Sequence, residues 1–120
     1  MSNDSVIRRT NKILDVLVEQ QMSAVIFVQD YLQLDFDGKR LTLNVWPKVS
    51  LDGTTFVSAD TGYKDALCSL IGRKVVAVSE AEIEIGLIFD EAQVSIDLSV
   101  NIGVEHMIFE DTLTNAWGWW

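Results

Sequence analysis

The sequence predicts an α+β protein: a twisted antiparallel β-sheet with a long N-terminal helix and a short middle helix. Three observations predict it. Apolar residues recur at three-to-four-residue spacing near the N-terminus and again around residues 63–71, whereas between residues 83 and 100 they alternate with mostly polar ones. Asp-Gly pairs stand at the junctions of alternating runs. The 120 residues contain one proline and no Gly/Ser/Pro linker, low-complexity tract or internal repeat, so residues 1–120 read as a single domain.

Residues 3–19 read as the long helix. Asn3, Asp4 or Ser5 supplies an N-cap, and Val6, Ile7, Ile13, Leu14, Leu17 and Val18 form a stripe to pack on the sheet. From Ala24 to Phe36 the chain turns β-branched and aromatic, with Leu32, Leu34 and Phe36 alternating against Gln33 and Asp35. Leu41, Leu43 and Val45 form the next run. Asp37-Gly38 between them signals a tight hairpin, whose turn needs positive φ. Pro47 ends that strand, since it has no N–H to donate. Asp52-Gly53 marks a second turn before a short strand at 54–57. Tyr63 to Ile71 reads as the short helix, its stripe being Tyr63, Ala66, Leu67, Leu70 and Ile71, and Gly72 is placed to cap it. Lys74–Ser79 is a strand. Ile83, Ile85, Leu87 and Phe89 form a second, and Val94, Ile96, Leu98 and Val100 a third, around a turn at 90–92. Residues 106–110 and 115–120 supply two closing strands.

The composition, 48% apolar and 22% charged, is that of an ordinary globular chain. No apolar run approaches the length of a membrane span, and Met-Ser-Asn-Asp-Ser lacks the layout of a secretory leader. A single cysteine leaves no internal disulfide. A cytoplasmic protein is therefore expected. The net charge is −9, and every Lys and Arg lies at or before residue 74. Beyond it stand Glu80, Glu82, Glu84, Asp90, Glu91, Asp97, Glu105, Glu110 and Asp111 with no basic residue. Such a segment repels phosphate, which disfavours nucleic acid, and attracts a basic protein.

Catalytic chemistry is poorly served. His106 and Cys68, the one histidine and the one cysteine, fall in different kinds of element, short of the four ligands of a structural zinc site. Cys68 beside the short helix's apolar stripe reads as buried filler. The scattered glycines form no phosphate loop, so no metal or cofactor is expected. Glu82 and Glu84 share a strand face that Asp97 joins from the next strand. Their neighbours Gln93, Ser95 and Ser99 mark it as wet, so a docking surface for cations fits better than an acid/base pair. Three of the four tryptophans are Trp117, Trp119 and Trp120. On a strand Trp117 and Trp119 point one way and Trp120 the other; one completes the core and another is free to anchor an interface. Trp46 reads as structural.

Two stretches carry a resemblance. They are Val28-Gln29-Asp30-Tyr31-Leu32-Gln33-Leu34-Asp35-Phe36-Asp37-Gly38, with Leu41-Thr42 and Trp46-Pro47 after it, and Gly62-Tyr63-Lys64-Asp65-Ala66-Leu67-Cys68-Ser69-Leu70-Ile71-Gly72. With the acidic hairpin and Trp-rich end, they resemble a group of small bacterial proteins, some of which look like immunity proteins of polymorphic or contact-dependent toxin systems. The resemblance implies a non-enzymatic module that neutralises a basic toxin domain by occlusion. The surface expected to bind that partner comprises Glu80, Glu82, Glu84, Asp97, Glu110, Asp111, Trp117, Trp119 and Trp120, gathered into one acidic patch. A small structural or homodimerising domain is the alternative, and a carbohydrate binder or hydrolase a third.

Overall fold

Two tight turns set the architecture. Asp37 (φ 51°) and Gly38 (φ 98°) both take positive φ, as do Asp52 (φ 49°) and Gly53 (φ 87°), the backbone that a two-residue hairpin turn requires. The first closes on the pair Phe36–Lys39 and the second on Leu51–Thr54. The computed structural model describes residues 13–120. Its elements are a 3-10 turn at Leu14–Leu17, then β1 (Ala24–Phe27), β2 (Leu32–Phe36), β3 (Lys39–Leu43), β4 (Lys48–Leu51), β5 (Thr54–Phe56), the helix α1 (Tyr63–Cys68), β6 (Val75–Glu80), β7 (Glu84–Phe89), β8 (Ala92–Asp97), β9 (Met107–Asp111) and β10 (Ala116–Trp119). The strands form two antiparallel five-stranded sheets, in the orders β1-β2-β3-β9-β10 and β5-β4-β8-β7-β6. Leu32, Leu34, Phe36, Leu41, Leu43, Met107 and Phe109 from the first sheet and Val49, Ile85, Leu87, Val94 and Ile96 from the second join one buried cluster, with Tyr63, Ala66 and Leu67 of α1.

The structure corrects the expected fold class. The described residues form two β-sheets with one short helix, in place of an α+β sheet with a long N-terminal helix. Residues 3–12 of the expected helix lie outside the described residues. Of the remainder, Ile13 keeps α-helical backbone and Leu14–Leu17 form a 3-10 turn. Leu14 and Leu17 are fully buried, but a three-residue spacing suits a 3-10 turn as well as an α-helix. Val18 (ψ 132°) then leaves the helical path and Glu19 (φ 75°) turns the chain. The alternating runs do give strands, including the two closing ones, though Val45, Leu98 and Val100 fall beyond the ends of β3 and β8. Alternation shows that a strand has a buried face, however, and not which sheet owns it. Ile83 and Ile71, expected in buried stripes, are exposed.

An internal repeat is present, contrary to expectation. Residues 13–45 and 66–98 correspond one to one at a constant offset, β1 to β6, β2 to β7 and β3 to β8. Ala24 pairs with Asp35 as Ala77 pairs with Ile88, Phe27 with Leu32 as Glu80 with Ile85, and Phe36 with Lys39 as Phe89 with Ala92. Leu14 and Leu67, Leu17 and Leu70, and Met22 and Val75 are buried counterparts. Glu19 and Gly72 (φ 91°) share positive φ.

The repeats meet about a local two-fold axis, where Gln21 bridges its own counterpart Lys74. Met22 N–H donates to Arg73 O as Val75 N–H donates to Gln20 O, both at 3.0 Å. Glu19 N–H donates to Val75 O as Gly72 N–H donates to Met22 O, both at 2.7 Å. Each three-stranded meander then pairs with the hairpin that follows the other one, β3 with β9 and β8 with β4. The repeats have exchanged hairpins. Among the described residues, no helix is long and apolar enough to cross a membrane.

Candidate functional site

Strand parity decides which side chains leave the core. In β9 and β10, Phe109 and Gly118 pair and face inward, so Glu110 and Trp117, and Ile108 and Trp119, pair on the outer face. Trp117 and Trp119 stack with ring centroids 5.1 Å apart and planes 27° apart. They remain 59% and 44% exposed, on the outermost strand of the first sheet. Trp120 points the other way. It packs against the core, and its Nε1–H donates to Glu80 Oε1 at 3.3 Å.

The register runs a charged row from Trp117 across the sheet: Trp117 opposes Glu110, Glu110 opposes Arg40, and Arg40 opposes Asp35. Arg40 donates from Nε and Nη2 to the two oxygens of Asp35, at 2.6 and 3.0 Å, a fork-on-carboxylate pair of the geometrically specific kind. That hydrogen bond raises the Arg40 pKa above its ordinary value, opposed by desolvation, and the charges of Asp35 and Glu110 raise it further. Glu110 thus lies beside a fixed cation. In the second sheet, the two-fold counterparts of Asp35, Arg40, Glu110 and Trp117 are Ile88, Gln93, Ser50 and Thr55. There Ser50 and Thr55 share a hydroxyl hydrogen bond at 3.0 Å, and Gln93 donates to Ser95. One row is charged and ends in an indole. The other carries no charge.

The remaining expected partner-binding residues do not join this face. Asp111 points inward, is 6% exposed, and accepts the Leu113 N–H at 2.9 Å to shape the β9–β10 turn. Glu80 ends β6, Glu82 lies in the β6–β7 turn, and Glu84 opposes Asp97 at the start of β7, all in the second sheet. Ser99 donates to Asp97 Oδ1 from its hydroxyl at 2.6 Å and its N–H at 2.8 Å. Those bonds hold the Asp97 carboxyl below its usual pKa range, and the charges of Lys48 and His106 lower it further. The expected single acidic patch free of cations is therefore corrected. Its members divide between two sheets, with Arg40 beside Glu110 and Lys48 near Asp97. Sequence placed the acids in one segment, but β8 and β9 belong to different sheets, so neighbours in the chain part in space.

Cys68 is exposed rather than buried filler, and the His106 ring Nε2 meets the Val100 carbonyl. No group of three His, Cys, Asp or Glu side chains suited to a metal ion occurs among the described residues. The Asp35–Arg40 pair escaped the sequence reading although its signal was present: a two-residue turn at Asp37-Gly38 places those two residues opposite each other. Compared with family models, curated proteins and solved structures, the chain has no match in any of the three.

Proposed function

We propose that this protein is a cytoplasmic, non-enzymatic binding module that docks a basic protein on the outer face of its first sheet. Trp117 and Trp119 are the anchors and Glu110 the charged contact. The observation that carries the reading is the stacked, outward Trp117–Trp119 pair ending the Asp35–Arg40–Glu110 row, set against a two-fold counterpart that is neutral and small. Tryptophan is enriched among the few residues that dominate interface energies, and a polar rim around such anchors supplies register. The net charge of −9 attracts a basic partner and speeds encounter. Glu82, Glu84 and Asp97 act only through that long-range field. Occlusion of a toxin domain is the specific role proposed, in line with the sequence resemblance. The open position of β10 at the sheet border also suits pairing with a second copy.

Photocrosslinking tests the assignment. A photoreactive side chain at residue 117 is expected to capture a discrete basic protein from the native cytoplasm, and one at residue 95, on the other sheet's outer face, is not. Equal capture from both positions contradicts the docking face, and capture of a second copy alone replaces the basic partner with a homodimer.

A further inference from the structure

The two-fold relation exposes a difference at the ends of β6 and β1. At the end of β6 the chain runs straight on from β10, Trp120 N–H donating to Met107 O, and the Trp120 indole N–H donates to Glu80. Glu80 has Phe27 as its counterpart at the end of β1. There the chain after β5 turns aside at 57–60 toward α1, with Val57 N–H donating to Asp60 Oδ2 and Asp60 N–H to Val57 O. An open cleft of about 490 Å³ remains, lined by Phe27, Gln29, Trp46, Ser58, Tyr63 and Lys64. Its size lies within the range of small-molecule sites.

The lining chemistry is selective. Tyr63 donates its hydroxyl to the Pro47 carbonyl at 2.6 Å, so toward the cleft it offers a ring. Trp46, half exposed, also lines it. Lys64 Nζ stands 5.4 Å from the Phe27 ring centroid, an ammonium held over an aromatic face. Aromatic walls and one cation suit a ring carrying an anion, and the other repeat shows an indole seated at the matching strand end. We infer that this cleft binds a small aromatic carboxylate, its ring among Phe27, Trp46 and Tyr63 and its carboxylate on Lys64. Gln29 and Ser58 supply further hydrogen bonds. The site is separate from the Trp117–Trp119 face and stands or falls independently of it.

The test uses the full chain labelled with 15N and the indole N–H resonance of Trp46, assigned by its loss in Trp46→Phe. Titration with N-acetyl-L-tryptophan is expected to move that resonance to saturation. N-acetyl-L-tryptophanamide, the same ring without the charge, is expected to bind about tenfold more weakly, and Lys64→Gln to weaken the acid by about the same factor. Ser58→Trp supplies an internal indole like that of the other repeat and is expected to abolish binding with the circular dichroism spectrum unchanged. No saturable movement up to about 10 mM acid overturns the inference. So does equal binding of acid and amide, or undiminished binding in Ser58→Trp.

Discussion

The two outer sheet faces share a backbone plan and differ in what they display. Across the first sheet, Ala24, Asp35, Arg40, Glu110 and Trp117 lie side by side. In the same register across the second lie Ala77, Ile88, Gln93, Ser50 and Thr55. Burial constrains the inner positions alike in both, so Leu34 and Leu87, or Phe36 and Phe89, stay interchangeable hydrophobes. Outer positions face a weaker packing demand and diverge. A charged, indole-bearing row on one face and a neutral row on its counterpart separates what the fold needs from what this surface has been given. Packing exchanges follow the same logic. Gly118 leaves room for Ile13, whose Cδ1 lies 2.8 Å from where a Cβ would stand, whereas its counterpart Phe56 fills that inward position and sits against Gly62.

The strongest way to break the comparison is in the core. Phe36→Ala and Phe89→Ala are each expected to cost about 3–5 kcal/mol, and to match one another within about 1 kcal/mol, in urea denaturation. Costs differing by more would show that the two counterpart positions are not equivalent within the core. Next come the counterparts with positive φ. Gly72→Ala is expected to destabilise by about 1–2 kcal/mol, and Glu19→Gly to stabilise by up to about 1 kcal/mol, because a side chain in the left-handed region carries a steric cost that glycine escapes. Opposite signs sharpen the equivalence; like signs break it.

Tyr63 has no described counterpart and gives an asymmetric effect. Burial pushes its phenol pKa up, so above about pH 10 the unfolded chain releases a proton that the native state still holds. Stability from this group is complete below that pH and is lost as the pH rises further. Tyr63→Phe is expected to lose about 1 kcal/mol with the Pro47 hydrogen bond and to flatten the alkaline limb of a stability–pH curve. An equally steep limb would remove Tyr63 as its source. The smallest effect belongs to Arg40→Ala. Its pair with Asp35 is partly solvated, so the cost is expected below about 1 kcal/mol and to shrink in high salt.

Much of the local structure was legible in the sequence. Asp37-Gly38 and Asp52-Gly53 fixed two hairpins because few residues tolerate their backbone, and the alternation at 84–97 fixed β7 and β8. The assignment of strands to two sheets was not legible, since it depends on the crossings at 44–47 and 98–106, whose course no periodicity records. The repeat was hidden for a related reason. Its identities, such as Leu14 with Leu67 and Asp37 with Asp90, are sparse, while its register and hydrogen bonds are close to exact. The cleft lay furthest from view, because Phe27, Trp46, Ser58 and Lys64 come from separate segments that only the tertiary fold unites.

The docking face is tested most directly by isothermal titration of the protein captured at residue 117 against wild type and Trp117→Ala, with Thr55→Ala as the two-fold control. An anchoring indole is expected to account for at least about 2 kcal/mol, a loss of about thirtyfold in affinity, while Thr55→Ala leaves binding unchanged. Equal affinities for wild type and Trp117→Ala would contradict the account.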